Sequence, residues 1–293
     1  MIDYNLADIL VNVVLAIIML GVGLSLTLND FKQILLFPKS IITGLSIQIF
    51  LIPVIAFVIA YFSNMSAEQK VGIVLVSTCA SGASSNLITH LVRGNVALAI
   101  SMTSLNSIIT IVTLPVIVSI ALYFFLEIDT KIILPIGETI IQIFLVTILP
   151  AIIGITIRRL HTRIAIILEK PLKVILPLIL FLVFAIKIFA GKNQGGSGIT
   201  FSESINILPY VFLLNVLAMT VGYYIAKLVK LEYRNQYTIA IEVGLHNTAL
   251  ALLVAGTILK SPEMEMPALV YSMFTFFTAI LFVYVVKGKQ IFK

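Results

Sequence analysis

Glu242 sits inside a long apolar run, one helical turn ahead of His246, in the stretch "IEVGLHNTAL" from Ile241 to Leu250. A carboxylate placed mid-membrane costs at least about 2.5 kcal/mol, so it faces a cavity or a partner. No lysine or arginine falls centrally in any apolar run of the chain. The natural counterion is then a bound cation, with a purely structural role as the alternative. A second stretch poses the same question without a charge. "STCASGASSN", Ser77 to Asn86, sets ten small or polar residues between the greasy runs "VGIVLV" and "LITHLV".

Aligning Asn86 with Asn247 lays "ASGASSNLIT" over "IEVGLHNTAL", each with a glycine upstream of the asparagine. The runs ahead of them also match loosely, with Gln48 in "SIQIFLIP" and Asn215 in "LLNVLAMT". Unwinding a helix in lipid frees N–H and C=O groups, at several kcal/mol each, unless protein or ligand satisfies them. Freed carbonyls suit a hard cation, and the positive ends of half-helices suit an anion. Close helix packing through small residues is the structural alternative for Ser77–Asn86.

The elements that must position these residues are membrane spans. Of 293 residues 60% are hydrophobic and 11% charged, with mean hydropathy +1.14, far from the roughly 25% charged residues of soluble domains. Apolar runs at 7–27, 40–62, 70–92, 95–125, 131–157, 171–191, 206–229, 237–259 and 266–286 predict nine transmembrane helices. The 95–125 run is long and holds Pro115, which predicts tilt or a kink. "AGKNQGGSG" at 190–198 reads as an external loop. An all-α polytopic membrane protein results, a single transmembrane domain over 1–293, with no soluble domain in its connections.

The interrupted spans are the third and the eighth, so they cross in opposite directions. Paired Gly-interrupted spans in corresponding positions point to an inverted repeat and to a transporter's binding site. Of the nineteen Lys and Arg, only Lys70, Lys131, Lys187, Lys192 and Lys260 fall on one side; the others share the side of the C-terminus. The C-terminus is therefore expected in the cytoplasm and the N-terminus outside, in a multi-pass protein of the inner (cytoplasmic) membrane. The same placement accounts for the net charge of +6 without nucleic acid, and no protein partner is implied. The acidic start "MIDYNLAD" does not look like a cleaved signal. Cys79, the lone cysteine, reads as a small buried hydrophobe. His90, His161 and Glu138 fall near span ends, Glu138 within reach of Lys131.

At these residues the sequence resembles the bile acid:sodium symporter family in its bacterial form. "IMLGVGLSLTLNDF" is similar to a panel-helix segment of that family, "LITHLVRGNVALAISMTS" to its first broken helix and successor, and "IEVGLHNTALA" to its second. The resemblance implies an inverted repeat divided into panel and core, with two broken helices crossing in the core. The chain would lack the first of ten spans, leaving an incomplete first repeat, 1–125, and a second, 126–293. It also implies Na+, one or two ions. The first would use Ser85, Asn86, Thr103 and Glu242. The second would use Gln48, Glu242, His246 and carbonyls near Val243 and Leu245. Substrate contacts would come from Ser84, Asn247 and Thr275. This chain departs from the family in carrying Ala99 where serine is frequent, and His246 where glutamine is usual. It also carries Thr275 and Phe276 where bacterial relatives have a His-Asn pair, which implies a different substrate.

The leading expectation is a sodium-coupled symporter of a small organic anion, carboxylate or sulfonate, working by alternating access. Because His246 replaces an amide oxygen, a variant coupled to sodium and a proton is an alternative. So is a channel or receptor on the same scaffold. An intramembrane metalloenzyme built on Glu242 and His246 would need a third protein ligand for zinc, and HExxH is absent.

Overall fold

The computed structural model describes residues 6–25, 37–126, 136–168, 201–288 and a few positions between 171 and 182. Most of the span expected at 171–191, together with the loop at 190–198, Lys131 and Lys293, lies outside them. Among the described residues the chain is helical, and five helices are long and apolar enough to cross a membrane. They are Pro38–Phe62, Val96–Phe125, Gly137–Leu160, Glu203–Leu228 and Pro262–Lys287.

In chain order, α1 spans Leu6–Ser25. α2 (Pro38–Ser46) runs through a π turn, Ile47–Leu51, into α3 (Ile52–Phe62). α4 (Ala67–Thr78) and α5 (Ala83–Leu91) are the two halves of the first interrupted run, followed by α6 (Val96–Phe125). α7 (Ile136–Ile143) passes through a π turn, Phe144–Ile148, into α8 (Leu149–Leu160). α9 spans Phe201–Leu228. α10 (Tyr233–Gly244) and α11 (Thr248–Leu252), with its π turn Leu253–Ile258, form the second interrupted run. α12 (Pro262–Lys287) follows.

Local sequence accounts for several of these boundaries. Ser66 and Gln69 form a capping box that starts α4. Each of the first two π turns stands two residues ahead of a proline, Pro53 and Pro150. A proline cannot donate to its own turn and crowds the preceding carbonyls, and a widened turn relieves both. Pro115 does not interrupt α6, which runs unbroken for 30 residues. At 1.5 Å per residue that is about 45 Å, well beyond the ~30 Å of hydrocarbon.

The faces of α6 show what solvent this fold expects. Ile108, Val112, Val116 and Ile120, four residues apart, are exposed, while Thr103, Asn106 and Thr110 are buried. Apolar outside and polar inside is the arrangement of a lipid-facing helix whose polar stripe lines the protein interior. The first halves of the interrupted runs are buried almost throughout. Every residue from Val71 to Thr78 and from Asn235 to Gly244 is buried. At the periphery α1 and α8 touch backbone to backbone. A Cβ on Gly23 would fall 2.2 Å from the Ala151 carbonyl oxygen, and one on Gly154 would fall 2.4 Å from that of Leu20.

Candidate functional site

The two interruptions meet each other. Cys79 and Gly82 adopt extended backbone where α4 stops and α5 has yet to begin, and Leu245 does the same after α10. Ser81 pairs with His246 in a single antiparallel bridge, and the Asn247 N–H donates to the Ala80 carbonyl at 2.7 Å. Each break thus satisfies part of the backbone that the other exposes, which is what low-dielectric surroundings demand. Asn247 also restarts its helix, its side-chain oxygen accepting from the Leu250 N–H at 3.1 Å. Gly82 gives α5 no such cap. Gly244 is required for space, because a Cβ there would fall 2.2 Å from Cγ of Met219.

Glu242 lies at this crossing and is fully buried. Its Oε2 accepts from Ser81 Oγ at 2.6 Å and from Thr103 Oγ1 at 2.8 Å, joining both broken spans to α6. Its Oε1 has no hydrogen-bond partner. Other buried polar atoms share that state, among them Asn86 Oδ1 on α5 and both amide atoms, nitrogen and oxygen, of Gln48 in the first π turn. Buried polar atoms are nearly always paired, so several orphans among residues expected to bind one class of ligand carry weight. Among the residues expected as ligands the orphaned oxygens belong to one carboxylate and two amides, and the hydroxyls of Thr89 and Thr110 are orphaned as well. Those oxygens suit a hard monovalent ion.

His246 is held by one ring nitrogen. Its Nδ1 lies 3.1 Å from the Cys79 carbonyl, which can only accept, so Nδ1 carries the proton. In its neutral form the ring then presents a lone pair at Nε2, an atom that is buried without a partner. Tyr271 stands beside the imidazole, with ring centroids 5.7 Å apart. Among the described residues no three His, Cys, Asp or Glu side chains gather as a metal cluster. Zinc chemistry would need at least that many protein ligands.

The remaining expected residues fall as follows. Ser85 is buried and donates to the Gly82 carbonyl at 2.7 Å, whereas Ser84 is exposed. Val243 and Leu245 are buried at the end of α10, and Ala99 is buried on α6. Thr275 is buried on α12, its carbonyl accepting from Thr278 Oγ1 at 3.0 Å, and Phe276 is half-buried. Cys79 is fully buried, and His90, His161 and Glu138 are exposed.

Two features escape the sequence reading. Ser81 bonds Glu242, but nothing distinguishes it from the other small residues of Ser77–Asn86 until the crossing is drawn. Asn215 Nδ2 and Tyr271 OH both donate to the Gly244 carbonyl, at 2.7 and 2.6 Å, and Thr278 donates to Asn215 Oδ1 at 2.6 Å. Asn215 is therefore spent on the backbone at the second break, while Gln48, its counterpart in the sequence pairing, has no partner.

Residues 12–197 match the Sodium Bile acid symporter family. The chain belongs to that family. The matched residues include the first break and stop short of the second, but similarity to curated relatives reaches further. The chain is 29% identical over 264 residues to the uncharacterized sodium-dependent transporter YocS of Bacillus subtilis, covering 89% of this chain and 78% of that one. It is 30% identical over 256 residues to the probable chloroplastic sodium/metabolite cotransporter BASS2 of rice, covering 87% and 58%. It is 27% identical over 287 residues to the human sodium/bile acid cotransporter 4, covering 96% and 64%. The chain spans roughly three-fifths of the length of the plant and human relatives and more of the bacterial one.

Proposed function

We propose that this protein is a sodium-coupled symporter of a small organic anion that works by alternating access. The observation that carries the reading is Glu242, a fully buried carboxylate at the crossing of two broken spans with one oxygen unpartnered. Membership of a sodium symporter family and relatives named as sodium-dependent transporters support it. One ion is assigned to Ser85, Asn86, Thr103 and Glu242. A second is assigned to Gln48, Glu242, His246 and the carbonyls of Val243 and Leu245. Oxygen ligands and a single carboxylate favour sodium over divalent ions, whose sites gather more charge.

Two sodium ions against one carboxylate leave about one positive charge beside the crossing. That charge, with the N-terminal ends of α5 and α11, attracts a carboxylate or sulfonate. Ser84, Asn247 and Thr275 are proposed to contact it. Each net positive charge entering a cell at 100 mV gains about 2.3 kcal/mol, enough to drive accumulation. The wider architecture belongs to the same proposal: nine spans in the cytoplasmic membrane with the N-terminus outside, repeats at 1–125 and 126–293, and panel and core moving against each other.

Purified protein in liposomes tests this directly. A panel of small carboxylates and sulfonates is offered with an inward sodium gradient or with potassium in its place. Concentrative uptake of at least one anion, dependent on sodium, is expected. Equal passive flow in both salts would instead indicate a channel.

A further inference from the structure

Three of the spans carrying the proposed sodium ligands are tied at one end to a single buried residue. Asn235, near the start of α10, is 4% exposed. Its Oδ1 accepts from Asn95 Nδ2 at 2.8 Å, and its Nδ2 donates to Ser40 Oγ at 3.2 Å. Asn95 caps α6 through Leu98 N–H, and its own N–H donates to Thr238 Oγ1 at 2.9 Å. Ser40 lies in the first turn of α2. One carboxamide therefore joins the beginnings of α2, α6 and α10, and the three helices run inward side by side from it.

The next layer up is tight. A Cβ on Gly44 would fall 2.3 Å from Cε of Met102 and 3.4 Å from Cγ1 of Ile239, so α2, α6 and α10 converge there without slack. The layer above holds the ligands. Gln48 is eight residues on from Ser40, Thr103 eight on from Asn95, and Glu242 seven on from Asn235. At 1.5 Å per residue those offsets are about 10–12 Å each, so helices level at Asn235 are level again at the candidate ion site. The Thr103–Glu242 bond of 2.8 Å is the upper end of the ladder whose lower end is Asn95–Asn235.

We propose that Asn235 is a positioning residue for cation binding, its amide setting the register in which Gln48, Thr103 and Glu242 present their oxygens to sodium. The inference rests on the sodium-site reading above. A shift of one helix along another by even 1 Å is large beside the tolerance of an ion's coordination shell, so a remote clamp governs affinity without touching the ion. The amide is suited to this because it accepts from one neighbour and donates to the other.

The test measures thermal stabilisation against sodium concentration at constant ionic strength, with potassium as replacement, for wild type and variants. Asn235→Ala is expected to raise the half-saturating sodium concentration about tenfold or more. Ser40→Ala, losing one bond of the clamp, is expected to raise it less and to fold even if Asn235→Ala does not. Asn235→Asp accepts from both Asn95 and the Ser40 hydroxyl and should restore much of the affinity. Lys39→Ala, which removes a neighbouring tie from α2 to the Val229 carbonyl, should leave sodium affinity unchanged. A merely structural role would lower the midpoint in potassium while leaving sodium affinity intact in Asn235→Ala or Ser40→Ala, and that result overturns the proposal. Glu242→Gln run alongside separates the two failures. If it keeps the full sodium response, the ion site itself is misplaced.

Discussion

His246 is held at the crossing by its Nδ1 bond to the Cys79 carbonyl, which leaves Nε2 as a lone pair facing inward. Sodium prefers oxygen, so replacing that lone pair with an amide oxygen should improve the second proposed ion site. His246→Gln is expected to lower the half-saturating sodium concentration and steepen the sodium dependence of uptake. A flatter dependence would show that the imidazole itself is needed for coupling. Much at this scale was legible beforehand. A lone carboxylate in an apolar run identifies itself by its cost, and Thr103 stands in a stretch that resembles the family's. Ser81 was not legible, because in Ser77–Asn86 the residue facing Glu242 is selected by the geometry of the crossing and not by side-chain type.

The elements divide in the same way. Glycine and polar residues inside apolar runs signal both breaks, since they weaken a helix locally. Their mutual hydrogen bonds depend on where two distant segments meet, which spacing along the chain cannot convey. Spacing does not reveal the π turns at Ile47–Leu51 and Phe144–Ile148 either, although Pro53 and Pro150 stand two residues beyond them. The contact of α1 with α8 makes a sharp prediction. Gly154 lies against the Leu20 carbonyl and the backbone of Gly23 and Leu24, with no flexible side chain to yield. Gly154→Leu should therefore force the helices apart and cost roughly 1–3 kcal/mol or more by overpacking. The check is a lower melting midpoint in detergent, with Gly137→Leu, which meets nothing within 4 Å, as the neutral comparison.

For the whole molecule, composition and the placement of Lys and Arg determine far more than any motif. They predict a cytoplasmic C-terminus. A reporter fused after Lys293 should be active in the cytoplasm, and one ahead of Met1 should be active outside. Both termini on one side would require an even number of spans and would overturn the nine-span count. The central claim concerns what Glu242 holds, and equilibrium binding of radioactive sodium to the purified protein measures that most directly. Wild type is expected to bind sodium saturably, at one to two ions per chain. Glu242→Gln keeps the shape of the side chain and one acceptor oxygen but removes its charge, so it should lose the saturable component. Undiminished sodium binding by Glu242→Gln would contradict the account.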